Sequence, residues 1–161
     1  MSQQSLRGRA HLSNPVHFLA LGFGSGLAPR APGTFGTLAA IPLFLLVSGL
    51  PLPAYLLLTL LACVAGVWIC GRAARDFGVH DHPAIVWDEI AGFLVTMIAA
   101  PAGLLWIVLG FLLFRVFDIL KPWPIGWLDR RVDGGLGIML DDIVAGVFAA
   151  VVLQVLAWAV S

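Results

Sequence analysis

This 161-residue sequence has very little charge: Asp, Glu, Lys and Arg together make up only 11% of it. A soluble domain usually has about 25% of such residues. Here 60% of the residues are hydrophobic instead, and the mean hydropathy is +0.99. Such a chain cannot cover its surface with polar side chains. The scarcity of charge therefore predicts a membrane protein, and the length predicts one compact domain.

The chain also lacks an excess of basic residues, because nine Lys and Arg balance nine Asp and Glu. Nucleic-acid binding requires a basic patch or stripe, so nucleic acid is excluded as a partner. Cysteine is equally scarce. Cys63 and Cys70 lie seven residues apart in one apolar run, which predicts small buried residues on one helix face. Two cysteines provide neither a zinc-ligand set nor a disulfide framework.

In place of charge, the chain has five apolar runs, at about 37–50, 54–71, 90–100, 103–119 and 143–160. Helices are expected throughout, because an open strand cannot satisfy its backbone hydrogen bonds in lipid. The second and fifth runs approach the length of a bilayer span. The third and fourth are joined by a Pro–Gly turn at 99–103, which predicts a helical hairpin.

These runs predict an all-α integral membrane bundle of about four to five short transmembrane or re-entrant helices. The bundle would occupy residues 14–161, after an N-terminal tail at 1–13. The connections at 48–53 and 99–103 contain no charged residue, so alternating helix directions place every charge on one membrane face. The positive-inside tendency identifies that face as cytoplasmic. The sequence gives no indication of the oligomeric state.

A glycine-rich stretch, GSGLAPRAPGTFGT at 24–37, leads into the first run. Glycines let backbone N–H groups approach an anion, and a following helix N-terminus adds a favourable dipole. The stretch is not a P-loop, which requires Lys and then Ser or Thr after its last glycine. Two interpretations stay open: a phosphate-binding loop, or an ordinary loop that ends in a threonine N-cap.

Two acid pairs stand at the start of apolar runs: Asp88–Glu89 in VWDEIAGFL and Asp141–Asp142 in GIMLDDIVAG. Acids in the first turn of a helix interact favourably with its dipole, so helix capping is one interpretation of each pair. The repetition favours a second interpretation, in which the acids hold a cation. Three glycines at 134–137 predict a bend that brings the second pair towards the first.

Between the pairs, FRVFDILKPWPIGWLDRR at 114–131 places Asp118 near the C-terminal end of an apolar helix, where capping cannot explain it. An Arg115–Asp118 ion pair at i,i+3 spacing is the structural alternative. Ionisable residues at the edge of a membrane segment favour a functional role. The planar guanidinium of Arg115 suits a phosphate because it can bind two oxygens at once, and the ammonium group of Lys121 suits it as a point charge. Trp123 and Trp127 are typical interfacial anchors.

These five acids are accompanied by neither a cysteine pair nor a histidine cluster, and such carboxylates suit a hard cation, Mg²⁺ first. A hard cation with Arg, Lys and a glycine-rich loop is typical of phosphoryl chemistry. Because the charges are expected at the membrane surface, the substrate is expected to be a lipid that carries a phosphate. The sequence patterns of cysteine phosphatases, aspartyl-phosphate enzymes and two-histidine lipid phosphatases are missing.

Three stretches resemble the phosphatidylglycerophosphatase A family: GLAPRAPGTFGTLAAIP, IVWDEIAG and FRVFDILKPWPIGWLDRRVDGGLGIMLDDIVAG. The resemblance covers most of the chain, from about residue 14 to the end of the fifth run. It implies an all-helical, Mg²⁺-dependent phosphatase of the bacterial inner membrane. Such an enzyme hydrolyses phosphatidylglycerophosphate to phosphatidylglycerol and phosphate.

The resemblance also implies roles for individual residues. The expected catalytic and metal-binding acids are Asp88, Glu89, Asp118, Asp141 and Asp142, and the expected catalytic cations are Arg115 and Lys121. The expected loop for the phosphate contains Pro32, Gly33, Thr34 and Gly36. Arg30 and Thr37, which flank this loop, are further candidates for binding the substrate.

Two other functions are kept as alternatives. One is a CDP-alcohol phosphotransferase, another class of Mg²⁺-dependent membrane enzyme, although its motif matches DGGLGIMLDD only at Asp133–Gly134. The other is a small cation carrier, which would require acids deep within the spans rather than at their ends. Release of CMP from a CDP-lipid would indicate the first, and metal uptake without phosphatase activity would indicate the second.

Overall fold

A computed structural model describes residues 12–79 and 82–160, and within these ranges the chain forms helices and no strands. The all-α prediction is therefore confirmed. A 3₁₀ helix at Gly22–Leu27 lies between the first two α-helices. The α-helices in chain order are α1 (Pro15–Ala20), α2 (Pro32–Val47), α3 (Leu52–Phe77), α4 (Trp87–Thr96), α5 (Leu104–Leu120), α6 (Ile125–Asp129) and α7 (Gly134–Val160).

Two of these helices, α3 and α7, are long and apolar enough to cross a membrane. Their outer faces expose large apolar side chains, among them Leu57, Val64 and Trp68 on α3 and Val151 and Val155 on α7. Exposure of such faces to water is unfavourable, whereas contact with the hydrocarbon of a bilayer is favourable. The two helices thus agree with a membrane protein.

Helix α4 occupies the centre of the bundle. It has ten residues, of which eight are buried, and it packs against α2, α3, α5 and α7. At about 15 Å it is too short to cross a hydrocarbon core of about 30 Å. It crosses α7 at Gly92 and Gly146, so closely that a Cβ at Gly146 would overlap the carbonyl oxygen of Gly92. Small residues allow such backbone approach between helices. The acids at its start are consequently held by neighbours on several sides.

Helix α2 begins at Pro32 and continues through Pro42 to Val47. The residue before it, Ala31, has a left-handed backbone (φ 47°), and no side chain caps the helix. Proline is favoured in the first turn because its missing N–H would have no partner there. The interpretation of a threonine N-cap is therefore wrong, since Thr34 lies inside the first turn.

Helix α7 begins at Gly134, well before the apolar run that predicted it, and this corrects two expectations. Asp141 and Asp142 lie about two turns inside the helix, so the interpretation that this pair caps a helix start is wrong. The predicted bend across the three glycines is also wrong. Of the three, only Gly134 has a left-handed backbone, with φ at +74°. Gly135 and Gly137 are helical, and Gly135 lets α7 approach the backbone of α3 at Gly71.

Several smaller predictions hold. Helix α4 is followed by a turn around Pro101 that leads into α5, as the Pro–Gly signal predicted. Cys70 is fully buried in the core, with Cys63 packed against the same cluster, and neither cysteine forms a disulfide bond. The tail boundary near residue 14 stays a prediction, because residues 1–11 lie outside the described part of the chain.

Candidate functional site

A cavity of about 310 Å³ lies where α2, α4 and α7 begin and α5 ends. We call it the carboxylate cavity. Part of its wall is made by Pro83, Ile85 and Ile138, and Pro32 and Gly33 contribute from the start of α2. All seven predicted catalytic residues line it: Asp88, Glu89, Arg115, Asp118, Lys121, Asp141 and Asp142. The tertiary structure thus gathers acids from three helices that lie far apart in the sequence.

Three of the acids form a compact group, in which one carboxylate oxygen each of Asp88, Glu89 and Asp142 lies within 4.8 Å of the others. We call this group the acid triad. Asp88 and Asp142 are buried, and each triad member has a buried oxygen without a hydrogen-bond partner among the described residues. Buried carboxylate oxygens are rarely left unpaired, so three such acids grouped this closely fit a bound cation.

The electrostatics of the triad favour the same conclusion. Burial raises the pKa of Asp88 well above its usual value, and the carboxylates of Glu89 and Asp142 add to the shift. Burial also raises the pKa of Glu89 to about 7; Asp118 adds to this shift, whereas contacts with Asp88 and Arg115 oppose it. A divalent cation among these oxygens would offset both the desolvation and the mutual repulsion. The all-oxygen donor set suits a hard ion such as Mg²⁺.

Arg115 forms the ion pair that its spacing predicted. Its Nη1 lies 2.5 Å from Asp118 Oδ2 and 4.0 Å from Glu89 Oε1, and only 14% of its side chain is exposed. The pair is more than a local helix contact, because both partners line the carboxylate cavity. A largely buried guanidinium is thereby held beside the acid triad, with Asp118 as its closest counter-charge.

Lys121 ends α5 in a left-handed conformation, with φ at 43°. Its Nζ lies 2.7 Å from Asp129 Oδ1 and 2.6 Å from Asp141 Oδ2. Burial lowers the pKa of Lys121, but the two carboxylates outweigh burial, and the net shift is upward. Asp141 is therefore paired with a cation, whereas Asp142 joins the triad. Adjacent residues on a helix point about 100° apart, which separates these two roles.

Sequence analysis missed Asp129, which α6 brings back beside Lys121. The signal lay in the short PWP turn between them, since a sharp turn returns the chain and allows two residues eight positions apart to meet. The side chain of Asp129 is 35% exposed, and it is not among the residues that line the cavity, so it is related to the cavity through Lys121.

The glycine-rich loop contributes only its centre to the cavity. A Cβ at Gly33 would overlap the Glu89 carboxylate and crowd Arg115 Nη1, so only glycine fits there without a shift. Gly36 packs against Val86 instead. The other predicted loop residues do not line the cavity: Arg30 is exposed, Thr34 is half-buried, and Thr37 is fully buried.

Comparison with known proteins identifies the family of this chain. The family profile of Phosphatidylglycerophosphatase A matches residues 18–157. A protein named Phosphatidylglycerophosphatase A from Escherichia coli (strain K12) is 52% identical over 148 residues, which cover 91% of this chain and 86% of that protein. One of the same name from Haemophilus influenzae is 43% identical over 155 residues, covering 95% of each.

A third relative, from Bacteroides thetaiotaomicron, carries the provisional name phosphatidylinositol-3-phosphatase. It is 35% identical over 153 residues, which cover 88% of this chain and 93% of that one. No solved structure gives a significant match. The family profile spans most of the chain, including every residue that lines the carboxylate cavity. The chain belongs to the Phosphatidylglycerophosphatase A family.

Proposed function

We propose that this protein hydrolyses the terminal phosphomonoester of phosphatidylglycerophosphate, releasing phosphatidylglycerol and inorganic phosphate. One observation carries the proposal: the acid triad, with its unpaired buried oxygens, shares a single cavity with Arg115 and Lys121. A cation site next to two cationic side chains suits a phosphate dianion. Membership of the Phosphatidylglycerophosphatase A family favours this activity over the CDP-alcohol phosphotransferase and cation-carrier alternatives.

The cofactor that we propose is Mg²⁺, held by the acid triad with Asp118 and Asp141 as the remaining candidate ligands. When bound, Mg²⁺ supplies electrophilic activation of the phosphate and of water. The five carboxylates differ in their surroundings. The triad has unpaired oxygens, whereas Asp118 and Asp141 are already paired with Arg115 and Lys121. We therefore place the primary ion at the triad.

The remaining residues act on the phosphate directly. Arg115 would bind two phosphate oxygens through its planar guanidinium. Lys121 would act as a point charge that neutralises the negative charge developing on these oxygens. A carboxylate of the cavity would accept a proton from water as the water oxygen bonds to phosphorus. The phosphorus–oxygen ester bond breaks, and the leaving alkoxide oxygen takes up that proton, which gives the free alcohol and inorganic phosphate. Pro32 and Gly33 would keep the start of α2 close to the transferred group.

The lipid substrate requires a site at membrane depth, and the positions of the helices suit this. Helices α3 and α7 would cross the membrane, with α2, α4 and α5 completing a bundle in which α4 is re-entrant. The charged residues cluster at the cavity end, which we propose faces the cytoplasm of a bacterial inner membrane. Trp123 and Trp127 are exposed beside the cavity and would lie at headgroup level.

Phosphate release from a panel of lipid phosphomonoesters would test the proposal, using the purified full chain in detergent micelles with Mg²⁺. We expect phosphatidylglycerophosphate to have the highest kcat/KM, above that of phosphatidic acid and a phosphatidylinositol 3-phosphate. The last of these is included because the Bacteroides thetaiotaomicron relative carries that name. No release from phosphatidylglycerophosphate, or a clear preference for another lipid, would contradict the proposal.

A further inference from the structure

Thr37 is a fully buried polar residue that the proposed reaction does not use. It lies on α2, one turn after Gly33, and it is not among the residues that line the carboxylate cavity. Its hydroxyl therefore cannot contact a phosphate bound in that cavity. It does contact Arg115, whose Nη1 lies 3.4 Å from Thr37 Oγ1.

The two hydrogen bonds of this hydroxyl have defined directions. Thr37 Oγ1 donates its single hydrogen to the carbonyl oxygen of Gly33 at 2.9 Å. The hydroxyl oxygen can then only accept from Arg115, because a guanidinium has donors and no acceptor. The bond to Gly33 thus turns a fixed lone pair towards Arg115. Gly33, which provides this carbonyl, is also the glycine at which an added Cβ would meet Glu89 and Arg115.

The surroundings of Arg115 show why a neutral acceptor matters there. Its other close partner is the carboxylate of Asp118, and the carboxylate of Glu89 lies farther away. Both of these acids lie at the cavity, where a cation would compete for them. Thr37, on α2, is a neutral partner of Arg115, and a cation in the cavity would not compete for its hydroxyl oxygen. It fixes one Nη group without neutralising the charge that the phosphate needs.

We propose that Thr37 is a positioning residue, whose hydroxyl oxygen orients the Arg115 guanidinium for the phosphate. This inference rests on the proposed phosphatase function. It assigns the residue a role through Arg115 instead of direct binding of the substrate. The hydroxyl is the required group, and the methyl group only fills space.

Two substitutions separate the hydroxyl from the shape of the side chain. Thr37→Val keeps the volume and removes both hydrogen bonds, and we expect kcat to fall about tenfold with KM changed less than about twofold. Thr37→Ser keeps the hydroxyl, and we expect at least half of the wild-type kcat. Loss of kcat in the serine variant equal to that in the valine variant would overturn the proposal.

Thr96 offers a matched control. It is also fully buried, and its hydroxyl also donates to a glycine carbonyl four residues earlier, Gly92 O at 3.0 Å. It does not line the carboxylate cavity. Thr96→Val should therefore leave kcat within about twofold of wild type. If it lowers kcat as far as Thr37→Val does, the effect belongs to buried helix threonines in general and the proposal is overturned.

A double-mutant cycle tests whether Thr37 acts through Arg115. In an Arg115→Lys background the fork is absent, so Thr37→Val should lower kcat by less than about twofold. A full tenfold loss in that background would mean an independent effect, and it would overturn the proposal. Thermal unfolding of each variant shows whether a loss of activity follows from a loss of fold.

A measurement without substrate keeps this inference separate from the proposed function. In the full chain with ¹⁵N-labelled arginine, Thr37→Val should speed rotation of the Arg115 guanidinium about its Nε–Cζ bond, whereas Thr37→Ser should not. Unchanged rotation in the valine variant would overturn the positioning role. A wild-type chain that releases no phosphate from any lipid would instead overturn the proposed function.

Discussion

Two cavities of nearly equal volume lie at opposite ends of the bundle, and their chemistry differs completely. The carboxylate cavity measures about 310 Å³. The other, which we call the apolar cavity, measures about 300 Å³ and lies where α2 and α4 end and α3 and α5 begin. Its lining includes Phe44, Ser48, Tyr55, Met97 and Ile107, and no charged residue. Volume alone therefore does not identify a functional site.

The polar groups near the two cavities are satisfied in different ways. Beside the apolar cavity, the Tyr55 hydroxyl donates to the carbonyl of Leu94 at 2.7 Å. Gln154 donates to the carbonyls of Ile98 and Ala99 at 3.0 and 2.9 Å. In the carboxylate cavity, one buried oxygen of each triad acid has no such partner among the described residues. A paired polar group stabilises the fold, whereas an unpaired buried one is available for a ligand.

Removal of divalent cations should have the largest effect on this contrast. Chelation should reduce phosphate release to background, and added Mg²⁺ should restore it, because the triad provides an oxygen site for a hard ion. Mg²⁺ at about 100 times its Kd should also stabilise the folded chain by about 2.7 kcal/mol. Calorimetry with and without Mg²⁺ measures this shift, and full activity in excess chelator would contradict the triad as a cation site.

Asp142→Asn should have the next largest effect, because it removes a charge from the triad while keeping the shape of the side chain. We expect kcat to fall about a thousandfold, since a metal supplies several kcal/mol of transition-state stabilisation. Stabilisation by Mg²⁺ should be lost as well. Ser48→Ala, which changes the apolar cavity, should leave both properties within about twofold of wild type. Equal effects of the two substitutions would abolish the distinction between the cavities.

Arg115→Lys should lower kcat about a hundredfold, because lysine keeps the charge but loses the fork that binds two oxygens. Mg²⁺ should still stabilise this variant, since the triad is intact. Steady-state kinetics and calorimetry on the same preparation would separate the two properties. A variant that loses Mg²⁺ stabilisation but keeps its activity would reverse the roles assigned to Arg115 and the triad.

Gly33→Ala should lower kcat about tenfold, because its Cβ would overlap Glu89 and displace the start of α2 or the acid itself. Gly49→Ala is the matched substitution at the other end of the bundle, where nothing lies within 4 Å of the added Cβ. It should leave kcat unchanged. Comparable losses in the two variants would show that the glycine effect is not specific to the carboxylate cavity.

Asp129→Asn should have the smallest effect, a two- to fivefold decrease in kcat, because a partly exposed ion pair contributes at most about 1 kcal/mol. Lys121 would keep Asp141 as its partner. Kinetics at low and high salt would measure the difference, which should shrink at high salt as screening weakens the pair. A loss as large as that of Asp142→Asn would place Asp129 in the reaction itself.

The sequence predicted the positions of some helices better than those of others. The apolar runs located α3 and α5 well, because hydropathy alone marks segments that face lipid. The start of α7 was missed, since its first turns contain glycines and two acids that interrupt the apolar pattern. Those residues are helical because α7 packs closely against α3 and α4 there, and close packing does not register in hydropathy.

Composition and spacing were enough to predict the all-α fold and the seven charged residues that line the carboxylate cavity, because both are properties of the chain alone. How those residues pair with one another depends on the tertiary structure. Asp142 joins the triad while Asp141 pairs with Lys121, and Thr37 lies beneath Arg115 instead of in the cavity. These pairings depend on how each helix is rotated and where helices cross, and side chains brought together in this way show no regular spacing in the sequence.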